Sequence, residues 1–222
     1  MLRVMSASSV RGALGRLTPV DFFAAGNVAL FVLLAATVYW ERFVAFRGSA
    51  NLPEFLAYAT FLLSAIGGAW FAGRKLPVRW PSLAAFEAGL LLHFAGGLLH
   101  PGGWRLYDHE IGLTVFDVAL RFDKIVHLAN AIAGCVITLE LLRVLGIRAG
   151  RATMLLVGLV VLGCGAVVEI VEYVVVKTIP HNGVGDYDNN MTDLAANLLG
   201  CIVYATARAI VLILLRRPHP AS

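Results

Sequence analysis

The sequence predicts an all-α fold: a polytopic transmembrane helix bundle with about six spans and a short interfacial helix before the fourth span. Two observations carry this. Hydrophobic residues make up 59% of the 222 positions and charged residues only 14%, whereas a soluble domain carries about 45–50% apolar and about 25% charged residues. So much apolar surface does not fit inside a soluble core of this size, which excludes a soluble enzyme, a disordered chain and a disulfide scaffold. The apolar residues also fall into six runs close to the roughly 20 residues that cross a bilayer. They are 22–40, 55–73, 83–99, 123–145, 152–176 and 191–215.

Each run has local support. Thr18-Pro19-Val20-Asp21 opens the first with an N-cap, a proline at the first helical position and a first-turn acid. This run is longer than the roughly 7–15 apolar residues of a signal peptide, so it reads as an uncleaved anchor. The third run is short and carries Glu87 and His93. Between the third and fourth, Trp104 and Tyr107 suit the membrane interface. There Thr114-Val115-Phe116-Asp117 fits a capping box, which predicts a short interfacial helix bending into the fourth span near Asp123. Pro180 stops the fifth, and Gly183 and Gly185 flank a turn before Asp186. The chain reads as a single integral membrane domain over 1–222. Three covering helices lie in 1–100, and the motif-bearing helices lie in 101–215.

Basic residues set the expected orientation. Arg3, Arg11, Arg16, Arg74, Lys75, Arg79, Arg143, Arg148, Arg151, Arg208, Arg216 and Arg217 fall on one side, against Arg42, Arg47, Arg105, Arg121, Lys124 and Lys177 on the other. The positive-inside rule then places both termini in the cytoplasm of a plasma (inner) membrane protein. The net charge of +4 is explained by this bias, and no nucleic acid partner is expected. The three cysteines, Cys135, Cys164 and Cys201, sit singly inside apolar spans and read as packing residues. The sequence leaves the oligomeric state open.

Ionisable residues in spans are costly and usually face an interior or a cavity. Asp123 and His127 are four apart and share one helical face, with Asn130 a turn further on. Glu169 and Glu172 are three apart on the fifth helix beside Tyr173, and Asp193 and Asn197 are four apart on the sixth, before Gly200. Asp186 and Asp188 precede that helix. Chain direction puts Asp123, Glu169, Glu172 and Asp193 at the same outer end, so the acids and one imidazole are expected to converge there, with His93 and His100 at the edge. A divalent metal, shared protons or nearby cations would have to compensate the cluster. Carboxylates suit Mg, Mn or Ca, and a histidine widens the choice to Zn or Fe. The candidate metal ligands are Asp123, His127, Glu169, Glu172, Asp186 and Asp193, with His127 and Glu169 as catalytic candidates. The plainer readings are Asp193 as a helix cap, Asp186 and Asp188 as solvated turn residues, Asp123 with Lys124 as an interface ion pair, and Glu140 paired with Arg143.

The pattern Asp123-Lys124-x-x-His127, Glu169-x-x-Glu172, Gly185-Asp186-Tyr187-Asp188 and Asp193-Leu194-x-x-Asn197-x-x-Gly200 resembles the YjdF-like family of bacterial inner-membrane proteins. More distantly it is similar to VanZ-like proteins, which share the Asp-Lys-x-x-His start and the Asp…Asn…Gly end. The resemblance covers 104–204. It implies a helical membrane fold and, through the VanZ-like link to glycopeptide resistance, work at the cell envelope. No Gly-x-Ser-x-Gly, His-Glu-x-x-His or Walker loop is present. Three functions fit: a metal-dependent enzyme acting on a lipid-linked or envelope substrate, a non-catalytic scaffold holding a structural ion, and a proton- or cation-coupled carrier.

Overall fold

The computed structural model describes residues 17–39, 52–115, 117–179 and 185–215. Among them are six long helices and one hairpin. Helix α1 is Pro19–Leu34, continued by a π-helical stretch Ala35–Tyr39, α2 is Leu52–Lys75 and α3 is Trp80–Leu98. Strands β1 (Glu110–Val115) and β2 (Val118–Arg121) lead directly into α4 (Phe122–Val144). Helices α5 (Arg151–Thr178) and α6 (Tyr187–Leu215) complete the chain. The N-terminal arginines, Glu41, Arg42, Arg47, Phe116, Pro180, His181, Gly183 and residues 216–222 lie outside the described residues.

All the helices except α3 are long and apolar enough to cross a membrane. Helix α3 has 19 residues, about 28 Å at ~1.5 Å per residue, and Glu87 and His93 dilute its apolar side chains. It is an inner helix: Gly89, Leu90, Phe94, Gly96, Gly97 and Leu98 are buried, while α5 and α6 expose Leu155, Ile170 and Ile213 as lipid-facing surface does. Its Glu87 is bonded within the bundle, Asn27 Nδ2 donating to it at 2.8 Å.

Two apolar cores organise the bundle. Phe31, Leu62, Ile66, Leu90, Phe94 and Leu98 join α1, α2 and α3. Ala131, Cys135, Val157, Val161 and Cys201 join α4, α5 and α6. The halves meet where α3 packs on α4, and Gly89 leaves the room that the Asn130 amide fills. Helices α4 and α6 approach closely because Gly200 lies against the Leu128 carbonyl and Ala131. Small residues let membrane helices pack this way, and here they bring the free Cys135 and Cys201 thiols within 3.8 Å. Cys164 is exposed.

The end of the bundle away from the acidic cluster is tied by ions. The Thr18 N–H donates to Asp21 Oδ2 at 2.6 Å, as the N-cap reading expects. Asp21 also accepts from Trp70 Nε1 (2.8 Å) and pairs with Arg74 (3.3 Å), joining α1 to α2. Glu140 pairs with Arg143 at 2.7 Å, as its spacing suggests, and accepts the Arg79 N–H at 2.8 Å.

Two expectations are corrected. The interfacial helix before the fourth span is an antiparallel β-hairpin with Val115 opposite Val118, preceded by two single 3-10 turns, Pro101–Gly103 and Leu106–Asp108. Thr114 is a strand residue and not a cap. The reason is local: Ile111, Val115 and Val118 are β-branched and suit a strand, and Asp117 adopts φ 62, the left-handed turn conformation. Helix α6 also starts four residues earlier than expected. The Asp186 carboxylate accepts the Asn189 N–H at 3.0 Å and caps it, so Asp193 lies inside the helix and is not its cap.

A carboxylate and imidazole cluster among three membrane helices

Helices α4, α5 and α6 bring together the acids that their spacing placed at one end. From α4 come Asp123, Lys124 and His127, from α5 Glu169 and Glu172, and from α6 Asn189, Asn190, Asp193 and Asn197. The antiparallel course of the three helices makes the start of α4, the end of α5 and the start of α6 neighbours.

Lys124 divides the cluster in two. Its buried ammonium donates to Asp193 Oδ1 (2.7 Å), Asn189 Oδ1 (2.9 Å), Asp123 Oδ2 (3.0 Å) and the Asn189 carbonyl (3.3 Å). The Asn189 amide then donates to the other Asp193 oxygen at 2.7 Å. Asp193, 1% exposed, is therefore bonded at both oxygens. This half carries its own cation.

The other half does not. Glu169 is 5% exposed, and neither of its carboxylate oxygens has a hydrogen-bond partner. His127 Nδ1 lies 3.8 Å from its Oε1, beyond hydrogen-bond distance. The opposite ring nitrogen, Nε2, lies 3.4 Å from Asp193 Oδ1. One imidazole thus stands between two carboxylates. Glu172 is half-buried and near enough to Asp193, His127 and Asp123 to act on them electrostatically. A buried carboxylate without a partner is expensive, and here one Lys faces four acids.

The geometry admits a cation. One ligand atom each from His127, Glu169 and Asp193 lies within 4.8 Å of the others. A hard cation with bonds of roughly 2.1–2.4 Å spans about that distance between opposite ligands. Asp123 faces Lys124, with Oδ1 left buried and unpartnered. Asp186 is exposed and is taken up as the α6 cap, and Asp188 is exposed on the first turn.

A second polar layer borders the first, and the sequence pattern signalled it only through His93. The Tyr107 hydroxyl meets His93 Nδ1 at 2.6 Å, and the Tyr58 hydroxyl donates to the His93 carbonyl at 2.9 Å. Gly96 and Gly97 leave the space for these two rings, since a Cβ on either would collide with them. The Arg105–Asp108 pair at 2.9 Å brackets the turn that presents Tyr107. This layer reaches the acids electrostatically, Tyr107 through Glu172 and His93 through His127. Burial holds the Tyr107 phenol well above the usual tyrosine range.

These features define a membrane protein of several apolar helices with an ionisable cluster buried among three of them. The family described as "Predicted membrane protein (DUF2238)" matches residues 26–213, and the chain belongs to it. The match takes in every residue of the cluster. No curated protein and no solved structure matches the chain.

Proposed function

We propose that this protein is a divalent-cation-dependent membrane enzyme, with the ion held by His127, Glu169 and Asp193 and with Glu172 beside them. The observation that carries this reading is Glu169: a buried carboxylate with both oxygens unpartnered, facing an imidazole at 3.8 Å. A cation there gives those oxygens a partner. The donor set, two carboxylates and one imidazole, suits Mg, Mn, Ca or Zn. Such an ion polarises a substrate oxygen or lowers the pKa of a bound water. His127, placed between two carboxylates, is suited to exchanging a proton with it.

The substrate in this reading is a lipid-linked or other envelope molecule. The cluster lies at the ends of membrane helices, beside an interfacial segment carrying Trp104 and Tyr107. The arginine and lysine bias supports both termini in the cytoplasm and the cluster on the outer side of the plasma membrane. Metal content by inductively coupled plasma mass spectrometry tests the reading. Wild type is expected to hold stoichiometric divalent metal. Glu169→Gln should lose it, and Asp123→Asn should keep most of it. Metal-free wild type after divalent supplementation overturns it. An unchanged envelope-lipid profile in cells carrying Glu169→Gln removes the enzymatic part.

A second reading has its own support. His127, Glu169 and Asp193 come from three different helices, so one ion would staple them as a structural element. In that case metal removal lowers the melting temperature and the lipid profile stays unchanged.

A further inference from the structure

The hairpin between α3 and α4 has one apolar face. Val115 lies opposite Val118 and Thr114 opposite Ala119. Directly paired residues share a face and neighbours along a strand alternate. Val115 and Val118 therefore share one side and Thr114 and Ala119 the other; the register is irregular between Glu110 and Thr114, where Gly112 takes φ 74, and alternation from Val115 and Val118 puts Leu113 and Leu120 on the first side. Glu110 and Arg121 pair across the base. Leu113 and Val115 are 59% and 43% exposed.

Among the described residues Leu113 and Val115 stand exposed on that face, while Val118 and Leu120 are half-buried. Beyond its root on α4, the ribbon makes no substantial packing contact with another helix among the described residues. An isolated two-stranded hairpin is at best marginally stable in water. Its position names the cover. Arg121 is the N-cap of α4, a membrane span from its first residue. The Phe122 N–H donates to the His109 carbonyl at 2.8 Å and closes the hairpin base against that helix. The ribbon thus starts at the end of a candidate membrane span, where Ile125 is 41% exposed. Trp104, 65% exposed in the preceding turn, is the residue type that settles at that level.

We propose that the hairpin lies in the membrane interface beside the carboxylate cluster, with Leu113 and Val115 in the acyl region and Thr114 facing water. The bilayer is its partner, and the ribbon is a membrane-inserted wing of the fold. The proposal stands whether or not the cluster binds an ion.

Site-directed spin labelling tests it. Leu113→Cys, Thr114→Cys, Val115→Cys and Ala119→Cys are each placed in the full chain with Cys164→Ser, since Cys135 and Cys201 are buried. Each variant is reconstituted into phosphatidylcholine–phosphatidylglycerol vesicles. The readout is nitroxide accessibility to oxygen relative to a water-soluble nickel chelate. The oxygen-to-nickel ratio at 113 and 115 is expected to exceed that at 114 and 119 several-fold. Equal, water-like ratios at all four positions overturn the proposal. So does dipolar broadening at 113, which would place a second copy of the chain on this face. If one apolar-face variant fails to fold, the other reads the same face.

Discussion

Lys124 and Asp193 form a 2.7 Å ion pair with both side chains buried, and that pair joins the first turn of α4 to the second turn of α6. Lys124→Met strands Asp123 and Asp193. Breaking a buried pair by removing one partner costs about 3–5 kcal/mol. A large drop in melting temperature in detergent is the expected result, with Lys124→Met/Asp193→Asn recovering much of it. A single variant melting like wild type would show that the pair is not what holds the helices there.

Glu169→Gln should behave in the opposite way. It replaces a buried carboxyl group that has no hydrogen-bond partner by a neutral amide of similar shape, so the variant is expected to be at least as stable as wild type without added metal. Ion binding to the folded state alone stabilises by about 2.7 kcal/mol at a hundredfold excess over Kd. Titration with Mg, Mn, Ca and Zn is therefore expected to raise the wild-type melting temperature for at least one ion and to leave Glu169→Gln unmoved. Parallel shifts in both proteins would place the ion elsewhere.

Gly200 sets the distance between α4 and α6. A Cβ there would lie 2.8 Å from the Ala131 Cβ and against the Leu128 carbonyl. Overpacking of this kind costs about 1–3 kcal/mol. The buried thiols report the spacing, because Cys135 and Cys201 lie 3.8 Å apart. Copper-phenanthroline is expected to cross-link wild type in high yield and Gly200→Val poorly. Equal yields would mean that this glycine does not govern the approach.

Tyr107 predicts an alkaline weakness. Burial raises its phenol well above the usual tyrosine range, so above about pH 10 the unfolded chain loses this proton while the folded chain keeps it. The unfolded state then binds fewer protons, and stability falls as pH rises. Tyr107→Phe removes that dependence along with the 2.6 Å contact to His93. The variant is expected to be less stable near neutral pH and to show a shallower loss above pH 10 in melting curves. A slope equal to that of wild type would place the alkaline sensitivity elsewhere.

Much of the site was legible because it is local. The i, i+4 spacing of Asp123 and His127 and the i, i+3 spacing of Glu169 and Glu172 hold in the structure. Counting turns from each helix end put them at one level. What was hidden lies between elements or in turn chemistry. Asn189 read as a loop residue until the Asp186 cap moved the start of α6 ahead of it. The hairpin was masked by a capping-box pattern that the β-branched residues and the left-handed Asp117 override. Tyr107 read as an interface anchor, and the glycines that seat its ring, Gly96 and Gly97, belong to a different element, α3.

The amino-acid pattern alone establishes a membrane helix bundle, the residues of its long helices, and the gathering of Asp123, Glu169, Glu172 and Asp193 at one end. Span length, apolar content and helical periodicity are properties of a segment and need no partner. Which of these acids are compensated is settled by the packing between helices. Lys124 follows Asp123 in the chain, yet its closest bond is to Asp193, 69 positions away. Glu169, with the same chemistry, has no such partner. That difference depends on how far each helix slides and rotates against its neighbours, which the glycine contacts set. Hydrogen bonding and Coulomb attraction change steeply over the ångström that separates 2.7 from 3.8 Å.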